Sequence, residues 1–272
     1  MLLSLITNDP DIANYAEAAG IDRIMIDLEV KGKNIRQSGK NLFLSDHTIG
    51  DLPAIKAFFK EKSLFVRINP IHQQSKEEID AVIRMGADIV MLPFFRSMDE
   101  VETFLELTNG AVRNSLLVET KEATELLPQI VDLKDVHEVH IGFNDLSISF
   151  GYRTIFEPIR NGSLEEYAQI VNHKKIPWGF GGLAKLSDSA LPIDPQLILF
   201  EQLRLNASVG WLGRSFRDSL DRDRIGSSLR EEVSLIRTFF RDHAPAPKEL
   251  FDLKHAELIE QIDRMISEAH SK

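Results

Sequence analysis

Two acidic residues, Glu119 and Asp145, stand at or just beyond the ends of short apolar runs at 115–120 and 138–143. If those ends meet, the carboxylates offer oxygen donors to one hard cation, Mg2+ or Mn2+, with positions left for water and substrate. The alternative at both ends is structural, since Thr120 or Asp145 ahead of a helix is also ordinary N-cap chemistry. Arg67 interrupts the apolar run 64–69. A guanidinium placed there must face an anion or a carboxylate, Asp27 and Glu29 being the structural partners at hand. Gly179, Gly181 and Gly182 let the main chain approach a ligand or turn tightly. Asn144 follows the sixth apolar run and Arg214 the eighth, while His140 alternates within its run and reads as a core histidine. Lys33, Arg36 and His47 group nitrogen side chains in the segment after the second run, where they suit an anionic partner or form a solvated loop face.

Composition narrows the chemistry. The chain has no cysteine, which removes thiol nucleophiles, disulfides, iron–sulfur clusters and cysteine-ligated zinc together. Acidic residues number 42 against 32 basic, a formal charge of −10, so nucleic acid and anionic membrane surfaces are not expected partners. The opening residues lack a basic stretch ahead of their short apolar run, and no run approaches the length of a membrane span. The expectation is a cytoplasmic protein acting on a small molecule.

The elements that must position these groups alternate along the chain. Short apolar runs at 2–7, 23–28, 64–69, 89–94, 115–120, 138–143, 176–181 and 208–212 read as strands. Helical spacing fills the intervals at 10–19, 52–59, 76–85, 98–107, 121–131, 163–172, 195–205 and 224–240. That alternation predicts an α/β fold, a parallel (β/α)8 TIM barrel over residues 1–242, with an open doubly wound sheet as the rival. Catalytic groups of such barrels come from the C-terminal strand ends, where the residues above fall. Residues 243–272 read as a proline linker and an extra C-terminal helix, whose stripe of Leu250, Leu253, Leu258, Ile262, Met265 and Ile266 packs on the barrel or makes a homo-oligomer with a neighbouring subunit.

Five strings, AEAAGIDRIMIDLE (16–29), VRINP (66–70), MGADIVMLP (85–93), LVET (117–120) and IGFNDLS (141–147), resemble the HpcH/HpaI aldolase and citrate lyase β-subunit family, over residues 4 to about 216. The resemblance implies a barrel of the phosphoenolpyruvate/pyruvate superfamily that makes or breaks a carbon–carbon bond beside an enolate held on a divalent metal. It implies Glu119 and Asp145 as ligands of Mg2+ or Mn2+ and Arg67 as the arginine at the enolate oxygen. The expected reaction is cleavage of a 4-hydroxy-2-oxo acid or related acid by a metal-dependent lyase or aldolase. A condensing enzyme, or a non-catalytic 2-oxo-acid-binding barrel, is the alternative. Aldolase members follow the second-strand Asp-x-Glu with a histidine used in proton transfer, whereas Val30 follows Glu29 here. The catalytic candidates are therefore Arg67, Glu29 and His47, with His47 or a metal-activated water as the base. Asn144, Lys33, Arg36, Gly181, Gly182 and Arg214 are the candidates for substrate binding.

Overall fold

The computed structural model describes residues 1–31, 45–60 and 62–269, with the backbone alone at Arg214, Ser215 and Ala269. Among these, eight parallel strands form the expected barrel: β1 (Leu2–Ile6), β2 (Arg23–Asp27), β3 (Ser63–Arg67), β4 (Ile89–Leu92), β5 (Arg113–Val118), β6 (Glu138–Ile141), β7 (Trp178–Phe180) and β8 (Val209–Leu212). Their order is β7-β6-β5-β4-β3-β2-β1-β8. Regular ladders join the neighbours in this order, and β7 meets β8 where the Ser208 N–H donates to the Trp178 carbonyl at 2.8 Å. A Cβ at Gly179 would lie 2.0 Å from the Val209 carbonyl oxygen, so only glycine allows this approach.

Local chemistry starts and stops the surrounding helices. Asp9 accepts from the N–H groups of Asp11 and Ile12 at the head of α1 (Pro10–Ala19), Pro10 occupies its first turn, and Gly20 ends it at φ +87°. The helices α2 (Asp51–Phe58) and α3 (Ser75–Arg84) follow β2 and β3, and α4 (Met98–Thr108) opens with a reciprocal Ser97–Glu100 capping box. Thr120 caps α5 (Lys121–Ile130), accepting from the Ala123 N–H while its hydroxyl donates to the Phe95 carbonyl. The segment after β6 holds three helices, α6 (Phe143–Phe150), α7 (Glu157–Arg160) and α8 (Ser163–His173), of which the sequence pattern showed only the last. The outer ring continues with α9 (Pro195–Arg204), the short α10 (Arg214–Asp218) and α11 (Ile225–His243).

Strand periodicity divides the side chains between two cores. Ile6, Met25, Phe65, Ile89, Met91, Leu117, Val209 and Trp211 fill the barrel, and the alternate residues pack beneath the helices. An ion pair between Arg23 and Glu138, 2.6 Å and almost fully buried, joins the starts of β2 and β6 at the opposite end from the mouth.

The final helix, α12 (Lys248–Ala269), lies on its own barrel. Leu258 and Ile262 are wholly buried, the Asp194 N–H donates to Gln261, and His255 meets Glu201 of α9 at 3.0 Å. Arg160 of α7 pairs with Asp263. The stripe, read as packing on its own barrel or on a neighbouring subunit, thus has an intrachain partner, leaving Leu253 as its most exposed large apolar member. His243 still belongs to α11, so the linker is residues 244–247. Among the described residues no helix is long and apolar enough to cross a membrane.

Candidate active site

The strand-end residues Asp27, Glu29 and Arg67 form one buried group. Arg67 Nε and Nη2 donate to the two carboxylate oxygens of Asp27, each at 2.8 Å, and Nη1 lies 3.5 Å from Glu29. Both carboxylates are completely buried. Burial alone would lower the guanidinium pKa, yet Asp27 and Glu29, with Glu119 further off, hold it above its ordinary value, so Arg67 stays charged. The structural pairing foreseen for Arg67 is therefore present. A guanidinium has five N–H donors, and these contacts engage three, so the pairing orients the group and is compatible with an anionic substrate oxygen.

His47 returns the chain to the same place. Its Nδ1 accepts the Asp27 N–H at 2.9 Å, and the ring is buried. With Nδ1 so engaged, neutral imidazole carries its proton on Nε2 and is a hydrogen-bond donor there. This arrangement suits stabilising a developing oxyanion better than taking up a proton. Asp46, the neighbouring carboxylate, is exposed. Lys33 and Arg36 lie outside the described residues.

Asn69, the last residue of the run 64–69, holds the chain just after Glu29. Its Oδ1 accepts the Val30 and Lys31 N–H groups at 3.0 and 2.9 Å, and its Nδ2 donates to Glu78 at 2.8 Å. No local pattern marks this contact, because its partners lie 38 and 39 residues away.

Glu119 reaches the β6–α6 junction, and Asp145 lies in the helix that this junction opens. Glu119 Oε1 accepts the Phe94 N–H at 3.1 Å, and Phe94 adopts φ +51°, a left-handed conformation that costs a non-glycine residue energy. The other oxygen, Oε2, lies 2.8 Å from where a Cβ on Gly142 would stand. Gly142 caps α6, and Asp145 sits in the first turn of that helix, buried. The helix begins at Phe143, so Asp145 is inside it and is not its N-cap. Gly142 falls within the string 141–147, and the need for glycine there comes from a side chain 23 positions earlier.

Oxygen donors of this kind fit a hard divalent cation. Among the described residues no group of three or more His, Asp or Glu side chains is arranged to hold a metal. A cation on Glu119 and Asp145 would therefore take its other ligands from water and substrate, as an open catalytic site requires.

The remaining candidates border the same mouth. Gly181 has φ +54°, and a Cβ on it would meet the Phe143 ring at 3.2 Å, while Gly182 is exposed. Asn144 has an exposed side chain in the first turn of α6, so its substrate contact would run through the main chain. Arg214 opens α10 after β8, and its side chain lies outside the described residues. His140 is buried as expected, and burial pushes its pKa down to about 3.

The structure is thus a parallel (β/α)8 barrel with acidic and arginine side chains at its C-terminal strand ends. The chain belongs to the HpcH/HpaI aldolase/citrate lyase family, whose model matches residues 1–157. No match is found among curated proteins at the sequence level. Solved structures share the fold at low identity. An HpcH/HpaI aldolase/citrate lyase family protein from Burkholderia cenocepacia J2315 superposes with a TM-score of 0.60 at 14% identity, covering 87% of this chain and 93% of that one. RipC from Yersinia pestis gives 0.57 at 18%, covering 92% and 98%. The HpcH/HpaI aldolase from Desulfitobacterium hafniense DCB-2 gives 0.58 at 15%, covering 87% and 92%.

Proposed function

We propose that this protein is a divalent-metal-dependent carbon–carbon lyase or aldolase that works through a pyruvate-type enolate, on a 4-hydroxy-2-oxo acid or a related acid. The observation that carries this reading is the joint placement of Arg67, Glu119 and Asp145. Arg67 is locked by Asp27 and close enough to feel Glu119, and Glu119 leans over the turn that bears Asp145. Bound there, Mg2+ or Mn2+ would supply Lewis-acid charge to the oxygens of a 2-oxo acid.

The chain's own groups would do the rest. Arg67 presents a fixed positive charge where negative charge grows on the enolate oxygen, and removing such a preorganised contact commonly costs on the order of 10²–10³ in rate. The N–H groups of the first turn of α6, whose cap offers no side-chain acceptor, would receive the substrate carboxylate. His47 Nε2–H would stabilise the oxygen at the carbon undergoing bond change. Glu29, beside Arg67, is a carboxylate able to take the hydroxyl proton on cleavage and return it on condensation.

Deuterium exchange at the methyl group of pyruvate tests the reading without knowledge of the second substrate. In D2O with Mg2+ or Mn2+, proton NMR should show protein-dependent loss of the methyl signal, abolished by chelator and by Glu119→Gln. Absence of exchange with either metal would remove the enolate chemistry.

A further inference from the structure

His140 is costly as a simple core residue. An apolar ring would stack on Trp211 equally well, and burying an imidazole incurs a desolvation cost that only a hydrogen bond offsets. The ring lies 3.7 Å from Trp211 and nearly parallel to it, and its Nε2 is 2.9 Å from the Gly181 carbonyl oxygen. Glycine at position 179 makes room, since a Cβ there would stand 3.2 Å from His140 Nδ1. The imidazole stays neutral through the working pH range, so Nε2–H is a constant donor to that carbonyl.

The hydrogen bond secures a turn whose other main-chain groups are also committed. The Gly181 N–H donates to Ile141 at 3.0 Å, the Leu183 N–H donates to Trp211 at 2.7 Å, and Gln202 donates to the Phe180 carbonyl at 3.1 Å. The exposed Gly182 N–H has no acceptor among the described residues. This turn lies beside the start of the helix that bears Asp145. Gly181 abuts Phe143, two residues before Asp145, and Ile141 precedes the Gly142 that meets Glu119.

We propose that His140 is a positioning residue: by holding the Gly181 carbonyl it fixes the Gly181–Gly182 turn so that the Gly182 N–H receives the carbonyl oxygen of the second substrate, the small aldehyde or oxo acid that meets or leaves the enolate. The inference rests on the enolate reading above and assigns the electrophile's side of that site. It also gives a reason for the left-handed Gly181, whose φ sets the direction of the peptide that follows.

The test separates the two readings. Oxalate with Mg2+ serves as a pyruvate-enolate mimic, and glyoxylate and acetaldehyde serve as carbonyl probes. The Gly182 amide is followed by 15N–1H NMR on the full chain. His140→Phe keeps a ring against Trp211 without the donor, and His140→Gln returns an N–H near the same point. Expected are a Gly182 shift on adding a carbonyl probe to wild type, about tenfold weaker probe binding in His140→Phe, substantial recovery in His140→Gln, and unchanged oxalate affinity throughout. An unmoved Gly182 amide with both probes in oxalate-bound wild type overturns the electrophile assignment. Equal probe binding in wild type and His140→Phe overturns the role of His140. Failure of oxalate to bind with Mg2+ instead removes the enolate reading, and this inference with it.

Discussion

Gly142→Ala is the sharpest perturbation of the site, because it touches one ligand candidate without straining the backbone. Gly142 has φ −88° and ψ 101°, which alanine adopts readily. The added Cβ would stand 2.8 Å from Glu119 Oε2, 2.9 Å from Glu119 Cβ and 3.0 Å from Leu117 Cδ1. Restoring an ordinary 3.4 Å contact requires Glu119 to withdraw by about 0.6 Å. Leu117 packs in the barrel core, and Glu119 also accepts the Phe94 N–H, so neither has an easy retreat. Overpacking of this kind costs about 1–3 kcal/mol, which in a chain of this size lowers Tm by roughly 2–10 °C. The displaced carboxylate should bind a cation on the order of 10–100-fold more weakly, the range seen when the support of a metal ligand is disturbed. Mn2+ titration followed by electron paramagnetic resonance reads that loss, and pyruvate deuterium exchange should fall with it. A folded Gly142→Ala protein with wild-type Mn2+ affinity and exchange would refute the placement of Glu119 at a metal.

Arg67→Lys should fold yet lose pyruvate exchange by on the order of 10²-fold, because an ammonium cannot hold Asp27 through two parallel bonds while facing substrate; near-normal exchange would confine Arg67 to structure. His140 predicts a pH effect on stability. Its folded pKa of about 3 lies below the ordinary 6.5, so the unfolded chain binds more protons between those values, and stability is full above pH 6.5 and falls as the solution is acidified toward pH 3. The slope, up to about 1.4 kcal/mol per pH unit, should diminish in His140→Gln when urea denaturation is compared across pH, and an unchanged slope would contradict a buried neutral ring. Leu258→Ala should cost about 2–5 kcal/mol by urea denaturation, and a loss below about 1 kcal/mol would mean that the α12 contact with its own barrel contributes little. Glu138→Gln, which leaves Arg23 buried without its charge partner, should cost about 3–5 kcal/mol, and replacing both by apolar residues should recover most of it.

The order of the eight strands, their parallel sense and the presence of Arg67, Glu119 and Asp145 at one mouth were legible in the sequence. Periodicity distinguishes strand from helix locally, and in a right-handed β/α succession the C-terminal strand ends all reach the same face. The choice between alternatives was not legible. Whether Arg67 pairs with Asp27, whether His47 offers Nδ1 or Nε2 to the site, and why position 142 must be glycine depend on contacts between residues 40, 20 and 23 positions apart. The apolar stripe of α12 likewise showed that it must be covered, and only packing revealed that α9 of the same chain covers it. Local spacing encodes which face a side chain leaves from, but the partner it finds there is set by strand register and close packing across the barrel, and these exist only once the chain has closed on itself.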